Sequence, residues 1–262
     1  MNNPVLAVDG LNKLYQPQRG GQVEALRDIS FQVQKGEFVS IIGPSGCGKS
    51  TLLEILGGLK SKSSGRILLR GKDIDGVDPS VKTVFQEDTT LPWRTTLRNV
   101  ELGMEVQRVP KKERREKCLE MINLVGLSGF EDRYPLELSG GMRQRVAIAR
   151  TLVMRPEILL MDEPFGALDE QTRLLLGDEL LNIWAQLGQT ILFITHSISE
   201  AVLLSDRVIV MTNRPGTVKE NMQIDIERPR ELGDERVSRL VQRIWQMLRD
   251  ESRMKARQCA ES

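Results

Sequence analysis

A single histidine stands in the 262 residues of this chain, with three cysteines and two tyrosines. One histidine excludes a histidine metal site. The cysteines, Cys47, Cys118 and Cys259, are scattered and fit neither a disulfide framework nor a metal cluster. A reducing cytosol is the expected home. An excess of one charge is lacking too. The 37 basic and 36 acidic residues leave a net charge of +1, so no strong basic field points to nucleic acid. No apolar run approaches the ~20 residues that cross a bilayer. The start, Met1-Asn2-Asn3-Pro4, lacks a charged leader and a following apolar core, so no signal peptide is expected. No internal repeat is found. What remains is ordinary for a globular chain of one domain or two, 40% apolar and 28% charged. Any work at a membrane falls to a partner.

The most informative stretch present is Gly43-Pro44-Ser45-Gly46-Cys47-Gly48-Lys49-Ser50-Thr51. It follows an apolar run, Phe38 to Ile42, that reads as a buried strand, and precedes a helix through Leu56. Strand, glycine-rich turn and helix start form the context of a phosphate-binding loop. Gly43, Gly46 and Gly48 let the backbone curl with its N–H groups inward. The helix start adds open donors and the positive end of its dipole. Lys49 brings a point charge for terminal phosphates, and Ser50 a hydroxyl for Mg²⁺. Cys47 reads two ways. Beside Lys49 at a helix start it is an activated thiol; if buried it is inert.

The rest of the chain reads as an α/β protein. Strands are expected over 5–14 and 23–34 around a polar turn, Gln16 to Gln22. Others are expected over 66–70, 81–85, 157–163, 190–195, 207–211 and 218–226. Helices are expected over 111–127, 170–187, 198–204 and from Glu235 to about Lys255, with frayed final residues. In this last helix Val237, Leu240, Val241, Ile244 and Leu248 share one face. From 88 to 154 the strands stop, which reads as a helical insertion. Within it Leu91-Pro92-Trp93-Arg94 is a rigid turn with an exposed-looking aromatic. The mixed charges of 111–117 read as a solvated face.

Several polar residues stand at suggestive places, each with a plainer alternative. Tyr15 ends a strand upstream of the loop and can stack on an adenine, or merely pack. Gln86 ends another and can reach a metal or a water, or cap. Ser139, before Gly140 and Gly141, caps a helix whose first N–H groups stay open to an anion. Asp162 and Glu163 end an apolar strand, where the first is placed for Mg²⁺ and the second to polarise water. His196 ends the 190–195 strand, on the edge where open α/β sheets bind ligands.

Together these motifs resemble the ATP-binding subunit of an ATP-binding-cassette (ABC) transporter, over about 230 residues from near residue 5. Gln86 matches the glutamine loop and Leu138-Ser139-Gly140-Gly141-Met142 the family signature. Asp162-Glu163 ends the Walker B strand, Ala167-Leu168-Asp169 matches the D-loop, and His196 the switch histidine. Met142 departs from the glutamine usual there; the serine and glycines before it carry the phosphate contacts, so activity is expected to survive. Leu91 to Arg94, Gly141 to Arg145 and Asn213-Arg214-Pro215-Gly216 look like the nitrate, sulfonate and taurine importer branch.

The resemblance implies a RecA-like P-loop core, about 1–87 and 155–215, an inserted helical subdomain, about 88–154, and a C-terminal strand and helix, about 216–262. It implies ATP and Mg²⁺ as ligands. Tyr15, Gly43 to Thr51, Ser139, Gly140 and Gly141 would hold nucleotide, and Ser50, Gln86 and Asp162 the metal. Glu163, His196, Lys49 and Gln86 would serve hydrolysis. The implied partners are a second copy of the chain, membrane permease subunits and, indirectly, a periplasmic or extracellular solute-binding protein, at the cytoplasmic face of the membrane. A soluble ATPase acting on DNA or ribosomes, or an exporter subunit, is the alternative. The solute lies outside what this chain encodes.

Overall fold

The computed structural model describes residues 3–16, 21–87 and 89–260, with side chains as far as 251. Most of the expected 16–22 turn, the last two residues and the Cys259 side chain lie outside the described residues, and the terminal helix runs to Ala260, past the end expected near Lys255. The strands are β1 (Leu6–Tyr15), β2 (Val23–Val33), β3 (Phe38–Ile42), β4 (Ser64–Leu69), β5 (Lys72–Asp73), β6 (Val81–Val84), β7 (Ile158–Asp162), β8 (Thr190–Ile194), β9 (Arg207–Met211) and β10 (Val218–Gln223). The helices are α1 (Lys49–Leu56), α2 (Thr96–Val106), α3 (Lys111–Leu124), α4 (Gly140–Leu152), α5 (Glu170–Leu187), α6 (Ile198–Leu204) and α7 (Glu235–Ala260). The chain forms two compact units, one from residues 1–78 with 190–262 and one from 79–189.

The first unit holds a four-stranded antiparallel sheet, β2-β1-β4-β5. It also holds β3, flanked by β8 and β9 in parallel, with β10 antiparallel on β9. Every residue of β3 and β8 is buried, as expected of parallel strands covered on both faces. One core cluster joins Ile42, Val208 and Val210 of these strands to Ala201 and Val202 of α6 and to Val237 and Ile244 of α7. The stripe expected on α7 is thus its packed face. Ile224 and Ile226 stay in that core although β10 ends at Gln223.

In the second unit β6 and β7 run parallel and α2 to α5 supply the helical mass. The span of α2 is an addition to the sequence reading. Thr95 caps it by accepting from Arg98 N at 3.4 Å, and Leu97, Val100 and Met104 recur at helical spacing on its buried side. Asn99 and Glu101, polar yet buried on the same helix, obscure that pattern. α3 stops at Leu124 rather than 127, where the chain turns through Gly126 at φ 68°.

Candidate functional site

In the first unit β3 delivers Gly43 and the chain curls into α1. The residue before α1, Gly48, sits at φ 108° and gives no side-chain cap to the helix. A Cβ there would come within 2.7 Å of Leu26 Cδ2, so only glycine fits. Ser45, Gly46 and Ser50 are exposed on the loop, and Pro44 and Thr51 are half-buried. Lys49 is 7% exposed; its ammonium donates to Gly43 O at 2.9 Å and Pro44 O at 3.3 Å. A glycine-rich turn at a helix start with one sheltered cation fits a chain of phosphates.

Tyr15 lies beside this loop. Its hydroxyl is 3.5 Å from Thr51 Oγ1, and Lys13 Nζ and Lys60 Nζ lie 4.9 and 5.9 Å from its ring centroid. His196 stands exposed just past β8. Ile41 and Ile194 are partners across β3 and β8, and two residues beyond each come Gly43 and His196. The parallel register therefore brings the loop and the lone histidine to the same sheet edge.

Gly216 closes the Asn213-Arg214-Pro215-Gly216 turn. Its N–H donates to Ala25 O at 3.0 Å and its carbonyl accepts from Arg27 N at 2.9 Å. A Cβ on it would sit 2.2 Å from the Cys47 carbonyl. It forms a floor under the phosphate loop; the Asn-Arg-Pro-Gly turn was the visible signal, but not what it would pack against.

In the second unit Val84 and Met161 are partners across β6 and β7, so Gln86 and Glu163 also follow at one edge. A Cβ on Gly166 would lie 3.5 Å from Gln86 Nε2 and 3.7 Å from Glu163 Cβ; the two side chains flank that glycine. Glu163 holds φ 44°, a left-handed conformation costing about 1–3 kcal/mol in a non-glycine residue. Asp162, half-buried, ends β7 beside it. Ser139 caps α4 by accepting from Met142 N at 3.3 Å. Cβ atoms on Gly140 and Gly141 would meet Leu168 at 3.5 Å and Thr172 at 3.1 Å. The signature glycines therefore lie against the 167–169 turn and the start of α5, where Asp169 accepts from Thr172 N at 3.0 Å.

Residues 26–166 match the model of the family described as ABC transporter. The chain belongs to that family. An uncharacterized ABC transporter ATP-binding protein of Methanocaldococcus jannaschii is 50% identical over 246 residues, 94% of this chain and 92% of that protein. A taurine import ATP-binding protein of Rhizobium johnstonii is 45% identical over 233 residues, 88% and 89% of the two chains. Among solved structures, an ATP-binding cassette described as dimeric, in a post-hydrolysis state bound to ADP and Pi, superposes with a TM-score of 0.74. Its identity is 31%, over 85% of this chain and all of that one. The fold is that of a P-loop ABC ATPase, and the chain is an ATP-hydrolysing subunit of the family.

In this ABC subunit the two readings of Cys47 are resolved in favour of the inert one. The side chain is buried, and burial pushes the thiol above its ordinary pKa; the opposing pull of Lys49 is the smaller effect. Cys118 is pushed up to about 12, by burial first and then by Glu101. At neutral pH a maleimide should modify Cys47 and Cys118 slowly, and Cys47→Ala should respond to the reagent as wild type does. Peptide mapping that finds Cys47 labelled well ahead of unfolding would reverse this.

Proposed function

We propose that the chain powers an importer of a small anion of the nitrate, sulfonate or taurine kind, from the cytoplasmic face of the membrane. The observation that carries this is the 45% identity to the taurine import protein across 88% of the chain. The Leu91 to Arg94 and Asn213 to Gly216 segments add to it. Two copies face head to tail, a reading supported by the similar cassette being dimeric. Each ATP then lies between residues 43–51 of one copy and Ser139, Gly140 and Gly141 of the other. Tyr15 stacks on the base, Lys49 pairs with the terminal phosphates, and His196 contacts the γ-phosphate. Glu163 takes a proton from the attacking water on its carboxylate.

Ser50, Gln86 and Asp162 would hold Mg²⁺, which when bound neutralises phosphate charge. Among the described residues no group of three His, Cys, Asp or Glu side chains gathers to hold a metal. One hydroxyl, one amide and one carboxylate suit a cation held largely by the nucleotide's own oxygens. The RecA-like core is assigned to about 1–87 and 155–215 and the helical subdomain to about 88–154.

No described helix is long and apolar enough to cross a membrane, so the permease contact has to be made by a surface. Trp93 is 73% exposed on a turn closed by Arg94 N donating to Leu91 O at 3.0 Å. Buried Asn99 pins that turn, donating to Leu91, Arg94 and Thr95 carbonyls and accepting from Leu91 N. A rigid aromatic held outward is a preorganised anchor. Trp93→Ala should weaken assembly with the membrane subunits by ~10-fold or more and leave basal ATPase intact. Unchanged co-purification together with unchanged solute-coupled ATPase would end the docking idea.

The function itself is tested by reconstituting the chain with a permease and a solute-binding protein of the importer branch proposed. ATPase should rise with nitrate, taurine or an alkanesulfonate. Stimulation only by an unrelated solute would overturn the substrate class. Retrieval of nucleic acid or ribosomes in place of membrane subunits would overturn the transport reading.

A further inference from the structure

We propose that Glu200 is a positioning residue for His196, acting through Thr195 and Ser197. The inference rests on the role given to His196 above. Ser197 is the N-cap of α6, its hydroxyl accepting from Glu200 N at 3.3 Å. Ser197 followed three residues later by Glu200 has the form of a capping box, in which the glutamate reaches back to the N-cap N–H. Here Ser197 N donates to Thr195 Oγ1 at 2.9 Å, and Thr195 Oγ1 donates to Glu200 Oε2 at 2.5 Å. The box is widened by one residue, and the residue it now encloses is His196.

The Thr195 hydroxyl is the donor to Glu200. The Thr195 oxygen keeps lone pairs for the Ser197 N–H. Thr195 and Glu200 are 2% and 7% exposed, so these bonds are sheltered from water. Thr195 N also donates to Ile41 O of β3 at 3.3 Å. At the far end of α6, Arg230 donates to Val202 O at 2.7 Å and Ser205 O at 2.6 Å. The histidine is exposed, yet the backbone on either side of it is tied to a buried carboxylate on a helix fixed at both ends. A plain helix cap needs only the Ser197 hydroxyl. The bond from Thr195 to Glu200 adds nothing to the helix and everything to the two peptide planes around His196.

Because His196 is the only histidine in the chain, its imidazole signal in an NMR spectrum of the full-length protein needs no assignment. Glu200→Ala is expected to move or broaden that signal. It should lower kcat about 10-fold or more, with KM for ATP within about twofold. Glu200→Gln, which keeps an acceptor, should restore both. If Glu200→Ala does not fold, Thr195→Val removes the same bond with little change of shape and should reproduce the loss, whereas Thr195→Ser should not. An unmoved imidazole signal in the variant that folds overturns the inference. So does a fall in kcat that Glu200→Gln fails to rescue. The parent reading fails separately, if His196→Ala hydrolyses ATP at the wild-type rate; the imidazole signal then still decides whether Glu200 positions the ring.

Discussion

Glu163→Gln is expected to stop hydrolysis while sparing ATP binding. General-base catalysis contributes roughly 10²- to 10⁴-fold, and turnover should fall by that factor. Glutamine matches glutamate in size, so the turn at φ 44° and the packing with Gln86 around Gly166 are kept. Only the proton acceptor is lost. Residues 43–51 and Lys49 are untouched, so nucleotide should still bind and then persist unhydrolysed. If ATP lies between two copies, the variant should accumulate as an ATP-held dimer. Light scattering with and without ATP reads this, alongside the ATPase rate, with and without the membrane partner. Wild-type turnover in Glu163→Gln would falsify the assignment. Loss of ATP binding would instead make Glu163 a structural or metal-holding group.

Why so much of this was legible in the sequence follows from which contacts are local. β3, α5, α6 and β9 run as expected and β8 differs by one residue, because a mostly apolar strand or a capped helix declares both its type and its ends. The candidate residues at strand ends were legible for the same reason. In parallel strands the carboxyl ends share an edge, so Gly43 with His196, and Gln86 with Glu163, follow from register alone. Three features were not legible. The helical stripe of α2 is masked by Asn99, whose buried amide serves the turn before it. Cys47 has the neighbours of an activated thiol, and only the packing of Met211 and Gly216 around its loop shows that burial prevails. Glu200 sits in what reads as an ordinary cap. That its carboxylate reaches past His196 to Thr195 depends on rotamers, which no spacing rule specifies.

Lys49→Ala should fail in a different way from Glu163→Gln, and the contrast separates binding from chemistry. The ammonium is sheltered at 7% exposure, where its charge is little screened. It already donates to Gly43 O and Pro44 O, which aims it at the mouth of the loop. A hydrogen bond to a charged group is worth about 1.5–3 kcal/mol, and each 1.4 kcal/mol is tenfold in affinity. Loss of the lysine should therefore weaken ATP binding by about 10- to 100-fold. Because the same charge faces the phosphates as they react, kcat should fall by a further ~10²-fold or more, in the range found when one preorganised donor is removed. Arginine should not rescue, because its planar fork does not reproduce the point charge of a buried ammonium. Titration calorimetry with ATP, the ATPase rate and ATP-dependent light scattering should all collapse together, whereas Glu163→Gln loses only the rate. There is one way for the expectation to fail informatively. If Lys49→Ala binds ATP as tightly as wild type but melts at a lower temperature, the lysine serves its two carbonyl partners and not the phosphates.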